Sequence, residues 1–129
     1  MKFVQDWFGF SQFIPHPTNE FHPGNRFRVY VEIENPTIRQ IPDGFNVAVA
    51  ISYEIRNEHA SIVAREDVGK PEKQTFSRLR DFCLEVPGTI PASLAPGQYF
   101  LRVSITDLND PSMRFAEEQI PFRVVPATR

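Results

Sequence analysis

The sequence predicts an all-β domain: seven to eight antiparallel strands, each with one apolar face, stacked as two sheets. Three observations carry this. Apolar and polar residues alternate with period two over four separate segments, turn residues punctuate the intervals, and no stretch has helical periodicity. Length sets the scale, since 129 residues and 14.9 kDa make one domain, able to bury a core without disulfides or a metal. Residues 1–20 read as an N-terminal strand and loop, 21–125 as the sandwich core and 126–129 as a tail.

A weak strand signal spans Phe3 to Phe8. After the turn signal Pro23-Gly24-Asn25, alternation is strict: Phe27, Val29, Val31 and Ile33 are apolar while Arg28, Glu32 and Glu34 are charged. Asn35-Pro36 and Pro42-Asp43-Gly44 then break the chain. The next strand sets Phe45, Val47, Val49, Ile51, Tyr53 and Ile55 against Asn46, Ala48, Ala50, Ser52, Glu54 and Arg56. Weaker signals follow at Ile62 to Glu66 and Phe76 to Val86, with Pro87-Gly88 and Pro96-Gly97 read as turns. Tyr99, Leu101, Val103 and Ile105 then oppose Phe100, Arg102, Ser104 and Thr106. Past the turn at Asn109-Asp110-Pro111, Ile120, Phe122 and Val124 oppose Pro121, Arg123 and Val125. Pro121 has no N–H to give a ladder, so this last strand is expected at an edge or with a bulge.

Composition excludes several classes of function. Fourteen Lys plus Arg against sixteen Asp plus Glu give a net charge of −2, without the basic field that holds a phosphate backbone, so no nucleic-acid partner is expected. The longest apolar stretch, Phe45 to Tyr53, is far short of the roughly 18 residues of a membrane span. Gln5 and Asp6 interrupt the only candidate signal peptide, and Pro15 and Pro17 stand where small residues would be needed. One Cys and no Asn-x-Ser/Thr lean towards the cytoplasm.

The run Leu94-Ala95-Pro96-Gly97-Gln98-Tyr99, followed by Leu101, Val103, Ile105 and Asp107, resembles the approach to the penultimate strand of immunoglobulin-like and fibronectin type III-like sandwiches. The resemblance extends over Phe21-His22-Pro23-Gly24 and the first strong strand. It implies an immunoglobulin-like sandwich in which the Tyr99 hydroxyl bonds to backbone near Leu94, making a structural corner. The antibody-type Cys pair is missing and the single Trp, Trp7, precedes the strong strands, so only the looser superfamily fits. The same order of motifs is similar to the C-terminal polysaccharide-binding domain of bacterial O-antigen ABC transporter ATPase subunits, which implies glycan binding on a sheet face.

Catalytic apparatus is not visible. Cys83, beside Phe82 and Leu84, reads as a packed free cysteine rather than a nucleophile. His16, Glu20 and His22 offer a composition zinc accepts but no ligand spacing. Asp107, Asn109 and Asp110 resemble part of a cadherin calcium linker, and Asx side chains turning a hairpin account for the same residues. No cofactor or metal is expected. The run Arg78-Leu79-Arg80-Asp81, with Glu32, Glu34, Glu54 and Arg56, reads as cross-strand charge pairing on solvated faces.

Function therefore rests on surfaces. In the implied order, the strands starting at Phe45, Tyr99 and Ile120 lie side by side, and their outer face is small and partly apolar. Ala48, Ala50, Phe100, Arg102, Arg123 and Val125 are the candidate interface, for another protein or a second copy, unless the segment Trp7 to Phe13 covers them. The leading expectation is a non-catalytic interaction or structural module, as the terminal domain of a larger bacterial protein. The alternative is a glycan-binding sandwich using outward rings at Tyr30, Phe100 and Trp7.

Overall fold

The computed structural model describes residues 1–9, 12–16, 18–34, 36–75 and 81–126. Among them are eleven strands and no helix: β1 (Lys2–Gly9), β2 (Gln12–Pro15), β3 (Glu20–Phe21), β4 (Arg26–Glu34), β5 (Arg39–Ile41), β6 (Gly44–Asn57), β7 (Ile62–Gly69), β8 (Glu72–Thr75), β9 (Asp81–Thr89), β10 (Gly97–Asp107) and β11 (Phe115–Val124). The order β2-β1-β4-β9 makes one sheet. The larger sheet runs β3-β11-β10-β6-β5, with β7 and β8 also paired to β6.

The two sheets bury their apolar faces against each other. Phe27, Val29, Val31, Leu84 and Val86 from the smaller sheet meet Val47, Val49, Ile51, Tyr53, Ile55, Leu101, Val103, Phe122 and Val124 from the larger one. These are the residues that period two assigns to one face, and each such aliphatic or aromatic side chain contributes roughly 1.5–3 kcal/mol by leaving water. Edge-on aromatic contacts tie the sheets together, with ring centroids 5.3 Å apart for Phe27 and Tyr53 and 6.0 Å for Phe3 and Phe122. The expected adjacency of the strands starting at Phe45, Tyr99 and Ile120 is present, with β10 between β6 and β11.

Several expectations are corrected. The described strands number eleven rather than seven to eight, because β2, β3, β5 and β8 have only two to four residues each, too few for alternation to register. Pairing is not wholly antiparallel: β3 lies parallel to β11, Glu20 beside Arg123 and Phe21 beside Val124. Pro87 and Gly88 are not a turn but part of β9, opposite Arg28 and Phe27. The expected strand from Phe76 is described only from Asp81, since residues 76–80 lie outside the described set.

Pro121 sits in unbroken register opposite Phe100, without a bulge. Arg123 and Val125 donate their backbone N–H groups to Asn19 and Phe21 carbonyls, away from β10. By alternation Pro121 also faces that side, so its missing N–H costs the β10 ladder nothing.

Candidate functional site

The register places Phe100 and Arg102 as neighbours on the outer face of the larger sheet, with Ala50 on the same face but farther along, opposite Thr106. Phe100 lies between Arg56 and Pro121, Arg102 between Glu54 and Gln119, and Thr106 between Ala50 and Phe115. Arg123 is exposed beside Gln98, and Val125 is half-buried just past β11. Ala48 is a correction: it is 5% exposed, so it offers no surface. The cause is local, because this half of β6 is flanked by β5 and β8, and the turn after β10 binds it through Leu108 N–H to the Ala48 carbonyl at 3.0 Å. The segment around Trp7 and Phe13 is hydrogen-bonded into the smaller sheet, across the core from this face. The Trp7 side chain lies outside the described residues.

Ion pairs cross much of the outer face. Glu54 accepts from Arg56 and Arg65, each at 3.0 Å, and Arg102 lies 3.3 Å from Glu117. The Arg65 hydrogen bond in particular holds the Glu54 carboxyl below its ordinary value against the opposing effect of burial. On the smaller sheet Arg28 pairs with Glu85 at 2.7 Å. Arg78, Leu79 and Arg80 are outside the described residues, as is the side chain of Glu34.

Tyr99 makes its expected corner. Its hydroxyl donates to the Ala95 carbonyl at 2.7 Å, one residue beyond Leu94, which packs against the core. Tyr30 differs from expectation as a sugar platform: it is 2% exposed, and its hydroxyl donates to Glu32 at 2.9 Å. Burial also pushes the Tyr53 phenol up, partly offset by a hydrogen bond from the Thr89 backbone.

The acidic turn after β10 is a structural knot. Asp107 accepts the Thr37 N–H at 2.8 Å and the Asn109 N–H at 3.2 Å, and Arg114 approaches it to 3.3 Å. Burial pushes its carboxyl up, but the Thr37 bond together with Asn109 and Arg114 brings it below its ordinary value. The Asn109 amide donates to the Thr37 and Asn46 carbonyls and to Asn46 Oδ1. Asp110 accepts the Ser112 N–H at 3.0 Å. These oxygens close turns and join three segments.

Cys83 is half-buried, and its cross-strand partner is Glu32, not a histidine. His16 bonds through Nδ1 to the Thr18 backbone and packs on Phe21, while the His22 ring reaches the Val125 carbonyl. Among the described residues no three His, Cys, Asp or Glu gather as a metal site.

A cavity of about 240 Å³ opens between the sheets at the other end of β11. Its origin lies in the inner-face rows. Ile55, Leu101 and Ile120 fill one row, but the next two read Tyr53, Val103, Glu118 and Ile51, Ile105, Ala116. There β11 supplies a carboxylate and a methyl where the core needs bulk, so the sheets part. Val31, Ile33, Pro36, Val49, Val103 and Ile105 line the space. Phe115 borders it, 63% exposed. The α-amino group of Met1 lies 3.3 Å from Glu118. Sequence reasoning missed this site because Phe115 to Gln119 does not alternate; the loss of alternation before Ile120 was itself the signal.

No protein-family model matches the chain. A search of curated proteins returns no match either. Among solved structures it is similar to Spo0M, a sporulation control protein from Bacillus subtilis, at 8% identity and a TM-score of 0.45, over 88% of this chain and 47% of that one. The chain thus spans about half the length of that protein.

Proposed function

We propose that this chain is a non-catalytic, protein-binding module with an immunoglobulin-like sandwich, and that it engages its partner at the mouth between the sheets. The Tyr99 corner supports the immunoglobulin-like assignment. The observation that carries the binding reading is the exposed apolar side chain of Phe115 bordering a cavity whose floor is apolar. Large apolar side chains exposed next to a pocket are the composition of an interface anchor.

Selection of peptides from a displayed random library on the immobilised domain tests this. Selected sequences should bind wild type and lose at least tenfold in affinity to Phe115→Ser, with an unchanged unfolding midpoint. Binding indifferent to Phe115, or no selected sequence, overturns the reading.

The outer face of β6, β10 and β11 is a second reading, as a contact for another copy. Phe100, half-buried beside Pro121, favours it, and Ala50 floors a shallow groove with Ser52, Asp67 and Thr106. Loss of a dimer in Ala50→Glu, followed by sedimentation, would support it; a monomeric wild type would exclude it. Glycan binding has less support, since Tyr30 is covered.

A further inference from the structure

We infer that the outer edge of β11, from Phe115 to Gln119, is a strand-addition site whose ligand is an extended segment of another protein with alternating apolar and basic residues. The inference rests on the interaction reading above and adds its mode and its ligand chemistry.

Backbone direction comes first. Arg123 and Val125 aim their N–H groups away from β10, and Arg114 aims its carbonyl at Asp107 on β10. Alternation then turns the N–H and C=O groups of Phe115, Glu117 and Gln119 to the outer edge. β3 reaches only Arg123 and Val124, and the Asn19 side chain caps the Pro121 carbonyl. Among the described residues, no strand pairs with the edge from Phe115 to Gln119. Such an edge is a template for a further strand.

Cavity size selects between ligands. At about 240 Å³ the space is below the roughly 300–1,000 Å³ of sites that enclose a whole small molecule. It suits one or two apolar side chains delivered by a strand lying along β11, in line with β3.

Charge selects the rest. Glu32, Asp107, Glu117 and Glu118 line the opening; Arg114 pairs with Asp107, the Met1 α-amino group with Glu118 and Arg102 with Glu117, so carboxylates remain in excess by one charge. A segment with Lys or Arg between its apolar residues complements that field. A second copy pairing by the same edge would set Glu117 and Glu118 against their own counterparts, and like charges across a strand pair are unfavourable. The geometry therefore favours a foreign basic segment over self-pairing.

The probe is a capped octapeptide of alternating Lys and Val, compared with an analogue N-methylated at alternate backbone nitrogens and one carrying Glu for Lys. Titration of the full chain should show binding by the Lys-Val peptide, with slowed amide exchange at Phe115, Glu117 and Gln119 in nuclear magnetic resonance. The N-methylated and Glu analogues should each bind at least tenfold more weakly. Glu117→Pro should reproduce that loss while keeping the thermal midpoint, because Pro121 already occupies the same side of the strand; Glu117→Gln, which keeps the N–H, should lose less. Equal binding by the N-methylated peptide overturns strand addition but leaves an interaction that depends on Phe115 standing. No binding at 1 mM peptide, a scale on the order of −4 kcal/mol, overturns the inference, as does a dimer that Glu117→Pro dissolves.

Discussion

The ring of Phe27 lies over Gly88, its cross-strand partner, so closely that a β-carbon on Gly88 would sit 2.1 Å from the ring's ζ-carbon. Glycine is present near the end of β9 because the aromatic ring needs the room. The ring in turn covers the backbone that glycine leaves bare and meets Tyr53 from the opposite sheet.

Gly88→Ala should therefore destabilise the fold. The Phe27 ring must leave its position, and overpacking of this kind costs about 1–3 kcal/mol. Urea unfolding should show a lower midpoint at unchanged slope, and Phe27→Leu in the same background should recover part of the loss by freeing the space.

Tyr99→Phe removes the hydroxyl that donates to the Ala95 carbonyl. Ala95 is exposed, so water can replace the lost donor, which places the expected cost near the lower end of the ~1–3 kcal/mol for an unsatisfied partner. An unchanged denaturation midpoint would show that the corner contributes nothing.

Asp107 makes stability depend on acid. Its carboxyl binds a proton less readily folded than unfolded, so its contribution is complete above the unfolded value of about 4 and is lost as pH falls through the lower folded value. Glu54 acts in the same direction. Thermal midpoints measured from about pH 5 down to about pH 2 should fall, and Asp107→Asn should start lower and fall less steeply.

Ala48 and Ala50 should respond oppositely to the same change. Ala48→Glu places an unpaired charge in a buried site, a mechanism that costs several kcal/mol. Ala50→Glu stands on the half-exposed outer face and should change stability by less than about 0.5 kcal/mol. Circular dichroism melts of the two variants test the assignment, and equal destabilisation would contradict it.

What the sequence determined by itself was every element whose burial is one-sided and sustained. Phe27 to Ile33, Phe45 to Ile55, Tyr99 to Ile105 and Ile120 to Val124 are all inside strands, and apart from Phe45 the expected residues face the core. Period two is a local property, since a strand half in water must alternate wherever it lies. The Tyr99 corner was legible through the resemblance of the Leu94 to Tyr99 run to immunoglobulin-like sandwiches, and the hydroxyl and carbonyl it joins are four residues apart.

Tertiary structure decided the rest. The short strands β2, β3, β5 and β8 exist because longer neighbours supply their hydrogen bonds, and they carry no periodicity of their own. Ala48 and Ala50 look alike in sequence, yet the turn held by Asp107 and Asn109 reaches the Ala48 end of β6 from more than fifty residues away. The mouth between the sheets depends on Glu118 and Ala116 falling in inner-face rows with Val103 and Ile105, a matter of register between strands. Alternation says which side of a strand is apolar; only the packing of one sheet on another says where that side runs out of partners.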